Sequence, residues 1–382
     1  MQSDDRRLAP RWTRREFVRC AAGVVALPHL PQTVAASTLP QQFAYVASGQ
    51  GSLDVFSVRG GRWKITQRVP SRAPAHIMLS AAQRTLYVAN EVDAHKGLPQ
   101  GTVEAFHIDA FDGRLTLLGR TPLSLSATHP RHMALSPDGK LLAVAAYGGA
   151  IYNLFPIAED GSLGQPSGIF KQAGCGPNAH SQASAHPHTL QFDASGHHLL
   201  SSDFGSDRLS VFAVQNGRLE RRSQRTTTEG SGPGACAFHP ATSVFYAWHE
   251  LKAALACYRY DEVSGTMSDA IQQLSLPVAS LHALALHPAG RMLYTTQASP
   301  NELSAWHVDS KSGKLTRAQV FSLEEATPTR ITAAPDGESL FILDGLRGSI
   351  FKVTADRVTG ELHCKAEVAV VNEPKSIALK TI

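Results

Sequence analysis

The stretch HMALSPDGKLLAVAAYG, residues 132–148, decides the fold because versions of it recur along the chain. An apolar segment leads into a Pro-Asp-Gly turn, and a second apolar segment follows it. Further copies begin at these positions: His76, His188, Ala235, Ala283 and Arg330. Each copy precedes a segment in which apolar and polar residues alternate, as in DRLSVFAV at 207–214, which is typical of half-buried strands. A strand-rich repeat of roughly fifty residues predicts a propeller or a related array.

The two ends of the chain complete the repeat count. FAYVASGQGSLDVFSV, at 43–58, is a seventh unit that lacks its first segment. PKSIALK, at 374–380, has the character of that missing segment. We therefore predict an all-β domain over residues 37–382, a seven-bladed β-propeller with four antiparallel strands per blade. Pairing of the N-terminal and C-terminal strands would close the ring and remove its exposed sheet edges.

The N-terminus has the pattern of an export signal. Residues Thr13–Val18 match the twin-arginine pattern, which is an address that a receptor reads. The apolar run at 20–30 is too short to span a bilayer, and the small residues Val34–Ala36 fit a cleavage site. We predict a signal peptide over residues 1–36, the twin-arginine translocase as a partner during export, a periplasmic location and no membrane anchor.

Composition restricts the functional class. The chain has 382 residues, 43% of them hydrophobic, which suffices for a large packed core. Its net charge of +4 is not gathered into a basic stripe with interleaved aromatic residues, so we expect no nucleic-acid partner. The cysteines beyond the signal fit no zinc motif.

Two sets of positions should meet at one mouth of the central channel. One set lies at the start of the innermost strand of each blade: His76, His132, His188, Ala235, Ala283 and Arg330. The other lies at the end of the second strand: Asn90–Glu91, Ala146–Tyr147, Asp203–Phe204, His249–Glu250, Gln297–Ala298 and Asp344–Gly345. His186 and Arg131 fall within two positions of the first set. The repeat thus predicts three equivalent histidines facing three carboxylates.

Histidines beside carboxylates suit several kinds of chemistry. Such a cluster activates water near neutral pH, or it binds a metal ion. The histidines could equally pack the channel and bond to backbone carbonyls. We expect no cofactor, with a divalent metal on His76, His132, His188 and a carboxylate as the alternative.

Several motifs resemble one known family. These are LYVANE ending at Glu91, PDGKLLAVAAYGG ending at Gly149, GPNAHSQASAHPHTLQFD ending at Asp193, and SSDFGSDRLSVF ending at Phe212. They resemble the seven-bladed lactonase propellers, which include bacterial phosphogluconolactonases and fungal carboxymuconate-lactonizing enzymes. The resemblance covers nearly the whole chain after the signal. It implies functional roles for His188 and His186, for Glu250, and for the pair Asn90–Glu91.

The chain departs from the family pattern at three arginines. Ser181, Gly234 and Ala298 stand where the family has arginine. Arginine binds carboxylate and phosphate through two parallel hydrogen bonds, which these residues cannot make. We therefore expect a small-molecule substrate that is less anionic than the family's and is not phosphorylated.

These observations predict a periplasmic hydrolase of a lactone or related cyclic ester. His188 would act as general base on water, with Glu250 orienting it, His132 and Glu91 positioning substrate, and Arg131 facing the oxyanion. The full set of predicted substrate contacts is His186, Glu91, Asn90, Arg131, Asp203, Tyr147, His76 and Arg330. The alternative is a non-enzymatic propeller that binds a ligand or protein.

Overall fold

The computed structural model describes residues 41–80, 84–276, 281–298 and 301–382. The signal peptide predicted for 1–36 lies outside these residues and stays a prediction. The described chain forms seven antiparallel sheets of four strands each. Its one helical element there is a short 3-10 turn, Glu250–Lys252. No helix in the described ranges has the length and apolar character needed to cross a membrane.

The strands are numbered in chain order. Their bounds are β1 Gln42–Ser48, β2 Ser52–Arg59, β3 Arg62–Pro70, β4 Pro74–Ser80, β5 Thr85–Asn90, β6 Thr102–Ile108, β7 Leu115–Pro122, β8 Pro130–Leu135, β9 Leu141–Ala146, β10 Ile151–Pro156, β11 Gly168–Lys171, β12 Pro187–Phe192, β13 His198–Asp203, β14 Arg208–Gln215, β15 Arg218–Thr226, β16 Pro233–Phe238, β17 Val244–His249, β18 Ala254–Asp261, β19 Thr266–Ser275, β20 Leu281–Leu286, β21 Met292–Ala298, β22 Asn301–Val308, β23 Leu315–Ser322, β24 Pro328–Ala333, β25 Ser339–Asp344, β26 Ser349–Ala355, β27 Leu362–Val370 and β28 Pro374–Thr381.

The ring closes as predicted. Blade 1 has the order β28-β1-β2-β3, so the last strand of the chain is its innermost strand, and Tyr45 of β1 lies opposite Ala378 of β28. Blades 2 to 7 each contain four consecutive strands, from β4 to β27. The innermost strands, β4, β8, β12, β16, β20, β24 and β28, contact one another in a continuous circle. The prediction of a seven-bladed propeller with a split first blade is confirmed.

The core lies between neighbouring blades. Tyr87 and Val103 of blade 2, for example, pack against Met133 and Val144 of blade 3, and all four are fully buried. The alternating pattern explains this packing, because one face of each strand turns toward the next blade. Burying one large apolar side chain contributes about 1.5–3 kcal/mol, so each such interface stabilises the ring substantially.

Tyrosines in the second strands link each of four blades to the next. The hydroxyl donates to a glycine carbonyl in the outer turn of the following blade at 2.8–3.2 Å in four pairs: Tyr45–Gly113, Tyr87–Gly161, Tyr246–Gly313 and Tyr294–Gly360. We call these four bonds the tyrosine seam. A buried tyrosine needs such a partner for its hydroxyl, and the seam accounts for the recurring tyrosine of the repeat.

Each innermost strand meets the end of the second strand at one end of the channel. Pro74 lies opposite Asn90, and Pro130 opposite Ala146, with a register irregularity immediately afterwards. Proline suits the first residue of a strand because it donates no ladder hydrogen bond there. This pairing brings the two predicted sets of positions together at one mouth.

The three histidines are not equivalent, however, and this part of the prediction is wrong. His76 and His132 lie opposite Ala89 and Ala145, two residues after the initial proline. In blade 4 that position is Thr189, opposite Ser202, and His188 lies one residue earlier. Neighbouring strand residues point to opposite faces, so a shift of one residue gives His188 a different environment.

Candidate active site

A repeated backbone bond holds a residue of several blades at the rim of the channel. The residue after the second strand donates its N–H to the residue before the innermost strand. Glu91 donates to the Ala73 carbonyl at 2.8 Å, and Glu250 donates to that of Gly232 at 2.9 Å. Tyr147 is held in the same way by a neighbouring carbonyl. Glu91, Tyr147 and Glu250 therefore come from three different blades to one rim.

The last residue of the second strand, one position before the rim residue, is buried and structural in blades 2 and 4. The Asn90 amide donates to the Arg72 carbonyl and accepts from Thr102 Oγ1, both at 2.9 Å. Asp203 accepts the His186 backbone N–H at 2.7 Å and a bond from the Ser206 hydroxyl. Both side chains are 1% exposed. The repeat predicts Asn90 and Asp203 as substrate contacts. Their polar atoms instead form hydrogen bonds that hold the neighbouring loops, so the structure does not support a substrate-binding role for either residue.

Arg131 is fixed by contacts on two sides. Its Nε lies 2.6 Å from Glu91 Oε1, and its guanidinium carbon lies 3.9 Å above the Tyr147 ring. The His186 ring stacks on Tyr147 at 4.3 Å and nearly parallel. Arginine and histidine must occupy opposite faces of that ring, since both cannot fit on one. His186 therefore supports Tyr147 and Arg131 from behind.

His188 and Glu250 form the central pair. His188 Nε2 lies 3.4 Å from Glu250 Oε1, and the two side chains are 26% and 34% exposed. Burial raises the pKa of Glu250 to about 7, although Arg330 and Arg131 oppose this. Burial also lowers the pKa of His188 to about 3, and the positive charge of Arg330 adds to the shift. At neutral pH the imidazole is therefore uncharged, and the carboxyl group is near its titration midpoint.

Gly234 makes room for this pair. A Cβ atom at Gly234 would overlap the Oε1 atom of Glu250. The carboxyl group thus lies over the backbone at a position where the resembling family carries arginine. Gly234 therefore supplies no positive charge beside this carboxyl group.

His76 and His132 stack on each other inside the channel. Their ring centres are 4.4 Å apart. His132 Nδ1 accepts the Leu190 backbone N–H at 3.2 Å, so the neutral ring carries its proton on Nε2. Burial, with help from Arg330, lowers the pKa of His132 to about 4. His132 is thus a hydrogen-bond donor at neutral pH, which does not suit the role of a base.

A cavity of about 190 Å³ lies in the channel next to these groups. Six side chains with basic nitrogen atoms line it: His76, Arg131, His132, His188, Arg330 and Lys375. Lys375 was missed in the sequence. It follows Pro374 just as Arg131 follows Pro130 and His188 follows Pro187, so aligning the prolines rather than the histidines reveals it.

The channel offers neither a metal centre nor an activated thiol in the described part of the chain. No three His, Cys, Asp or Glu side chains there are grouped so that they could hold a metal ion. The alternative of a metal on His76, His132 and His188 thus finds no ligand set in these ranges. Cys236 lines the cavity, but burial raises the pKa of its thiol to about 12, which makes it a poor nucleophile.

The fold and the site define a β-propeller with an acid–imidazole pair at its channel mouth. A family model described as Lactonase, 7-bladed beta-propeller, matches residues 43–379. The chain belongs to this family. The resemblance seen in the motifs is confirmed.

Individual relatives are distant but cover most of the chain. A 6-phosphogluconolactonase of Bacillus subtilis is 24% identical over 76% of this chain and 82% of its own length. A 6-phosphogluconolactonase of Pectobacterium carotovorum is 26% identical over 89% and 98%. The solved structure of a periplasmic gluconolactonase of Pseudomonas aeruginosa has a TM-score of 0.77 at 24% identity, covering 89% of this chain and 99% of that one.

Proposed function

We propose that this protein hydrolyses a non-phosphorylated lactone or related cyclic ester at the channel mouth, and that it does so in the periplasm. The observation that carries the proposal is the His188–Glu250 pair, 3.4 Å apart, with Arg131 nearby on the rim. A base, a hydrogen-bond partner for it and a fixed cation are the groups that hydrolysis of an ester requires.

Glu250 is the better candidate for the general base. A base works best when its pKa lies near the operating pH. The pKa of Glu250 is about 7, whereas that of His188 is about 3. We therefore exchange the roles expected from the sequence. Glu250 removes the proton, and the neutral His188 orients the carboxylate through Nε2–H.

The proposed reaction balances with water as the only co-reactant. Ionised Glu250 takes a proton from water, and the resulting hydroxide attacks the lactone carbonyl carbon. The carbonyl oxygen becomes an oxyanion that faces the Arg131 guanidinium. The ring C–O bond then breaks, and protonated Glu250 returns its proton to the leaving alkoxide. The products are a hydroxy acid and the free enzyme.

Two features argue against a phosphorylated substrate. Gly234 supplies no cation, and Glu250 brings a carboxyl group to the same place. Arg131 is already paired with Glu91 at 2.6 Å. A phosphate dianion would therefore meet an acid where an arginine fork is expected.

A periplasmic location is supported by the twin-arginine pattern of residues 13–18. A structural neighbour from Pseudomonas aeruginosa is described as a periplasmic gluconolactonase, which is consistent with this location. Export of a reporter fused to residues 1–36, compared with the double change Arg14→Lys and Arg15→Lys, tests it. If the reporter with both lysine substitutions is exported as well as the unchanged one, the twin-arginine route is refuted.

A direct assay tests the activity. Purified protein is offered gluconolactone, 6-phosphogluconolactone and an aromatic lactone, and acid release is followed at constant pH. We expect turnover of a non-phosphorylated lactone, lost in Glu250→Gln and retained in the control Glu262→Gln. Glu262 is an exposed residue of the outer hairpin of the same blade. Preference for the phosphorylated lactone, or full activity of Glu250→Gln, would overturn the proposal.

A further inference from the structure

The channel contains a second, larger cavity beyond the one at its mouth. Its volume is about 640 Å³, which lies in the range of small-molecule sites. Half-buried apolar side chains from blades 2, 3, 5 and 6 form much of its wall: Met78, Leu135, Phe238, Leu284 and Leu286. We call this space the lower cavity, and the 190 Å³ cavity lined by Arg131 and His188 the upper cavity.

The two cavities adjoin each other. Four residues line both of them: His132, Thr189, Cys236 and Leu284. Arg131 is the second residue of β8 and lies at the mouth, whereas Leu135 is the last residue of the same strand. A strand rises about 3.3 Å per residue, so Leu135 lies about 13 Å further along the channel. A ligand bound beside Arg131 and His188 therefore has the lower cavity directly beyond it.

The lower cavity has no charged lining in the described part of the chain. No Asp, Glu, Lys or Arg among the described residues lines it. Its two histidines are uncharged at neutral pH, because burial lowers the pKa of His132 to about 4 and also lowers the pKa of His287. Two arginines and a lysine line the upper cavity. The channel thus changes from basic near the mouth to apolar beyond it.

Polar side chains of the lower cavity are partly bonded within the protein. Gln191 Oε1 accepts the Phe238 backbone N–H at 2.8 Å. His287 Nδ1 accepts the Ala289 backbone N–H at 3.0 Å. Water in this space would meet mainly apolar surface, so its displacement by an apolar group is favourable.

We propose that the lower cavity binds an alkyl substituent of the substrate, so that the enzyme prefers lactones that carry an apolar tail on the ring. This inference rests on the proposed lactone hydrolysis at Glu250, and it names the substrate class of that same site. A ring bound in the upper cavity would lie beside Arg131 and His188, and its tail would pass His132 into the lower cavity. The tail is stabilised in proportion to the apolar area that leaves water.

Ligands that resist hydrolysis test this without depending on turnover. Calorimetry on the wild-type protein compares δ-lactams that carry a methyl, propyl or pentyl group on the ring carbon next to nitrogen. A lactam keeps the ring and the carbonyl group of a lactone, but its amide bond is hydrolysed far more slowly. We expect the affinity to rise about three- to fourfold per added methylene, and by about 100-fold from methyl to pentyl, since each buried methylene contributes roughly this factor.

Two variants assign the tail preference to the lower cavity. Leu135→Asn replaces an apolar side chain by a polar one of similar size and should weaken binding of the pentyl lactam by about tenfold, with the methyl lactam unchanged. Met78→Gln keeps an unbranched side chain and should weaken the pentyl lactam by about threefold, which provides the test if Leu135→Asn does not fold. Leu118→Asn is the matched control, because Leu118 lies on the outermost strand β7 and does not line the cavity.

Three results would overturn the inference. The first is equal affinity for the methyl and pentyl lactams, and the second is a dependence on chain length that both cavity variants leave unchanged. The third is binding of simple alkanols as tightly as lactams of the same chain length, because the cavity would then hold apolar molecules independently of the ring. If the lactams show the expected dependence while the wild-type protein hydrolyses no lactone, the proposed function fails alone.

Discussion

The channel rim and the tyrosine seam are built on the same strands, yet they differ in almost every physical respect. The seam is buried and uncharged, and its bonds repeat from blade to blade, as in Tyr45–Gly113 and Tyr246–Gly313. The rim is half-exposed and charged, and its side chains vary between blades, with glutamate in blades 2 and 5 and tyrosine in blade 3. Glu91, Tyr147 and Glu250 occupy matching places there.

This difference shows how a repeat protein separates stability from chemistry. A residue type that repeats from blade to blade packs between neighbouring blades, so its role is to stabilise the fold. The rim positions are held by their backbone bonds, which any residue except proline can make, so their side chains are free to differ. Changes at the rim should alter activity with little effect on stability, and changes in the seam should do the reverse.

The largest effect is expected at the rim. Glu250→Gln removes the proposed base while keeping the shape of the side chain, and it should lower kcat/KM by about 100- to 10,000-fold. The thermal midpoint should not fall, since the variant no longer buries an ionisable group. Steady-state kinetics and thermal unfolding, with Glu262→Gln as the control, measure both quantities. A large drop in the midpoint would make Glu250 a structural residue instead.

The pH profile should report the same carboxyl group. The pKa of Glu250 is raised from 4.5 to about 7, so the group is protonated below that pH and cannot accept a proton from water. We expect kcat/KM to fall about tenfold per pH unit below the apparent pKa and to level off above it. His188, with a pKa of about 3, should add no break near neutrality. A profile governed by a group near 6.5 that persists in Glu250→Gln would assign the base to histidine.

Gly234→Ala should have an intermediate effect on the rim. The added methyl group would overlap the Glu250 carboxyl group, so it would push that group away from its present place beside His188. We expect kcat/KM to fall by about tenfold, with folding preserved, since the displaced group is the end of a flexible side chain. Gly119→Ala in β7 is the matched control, as its Cβ would meet nothing within 4 Å. Unchanged kinetics in Gly234→Ala would mean that the pair tolerates displacement.

The smallest effect is expected in the seam. Tyr45→Phe removes the bond to the Gly113 carbonyl and should reduce the free energy of unfolding by about 1 kcal/mol. Its kcat/KM should stay within about twofold of wild type, because this bond lies between blades 1 and 2 and outside the mouth. Denaturant unfolding and steady-state kinetics on one preparation measure the free energy of unfolding and kcat/KM. An activity loss without a stability loss would break the separation proposed here.

Much of the site could be predicted from the repeat, and the errors have a physical cause. The repeat places Glu91, Arg131, His188 and Glu250 at one mouth, and the structure brings them together there. It cannot reveal that the polar atoms of Asp203 are consumed by loop bonds, since that depends on backbone atoms contributed by His186 and its neighbours. Aligning on histidines also hid Lys375, which the recurring prolines would have shown.

The order of apolar, polar and glycine residues was enough to specify seven four-stranded blades and their closure by the last strand, because strand alternation and turn chemistry are local properties. Which side chains contact each other at the rim is determined only by the closed ring, because the ring brings distant parts of the chain together. Gly234 has no side chain, which lets Glu250 lie beside His188 of the neighbouring blade. The raised pKa of Glu250 arises from its burial among these blades, which no local sequence pattern encodes.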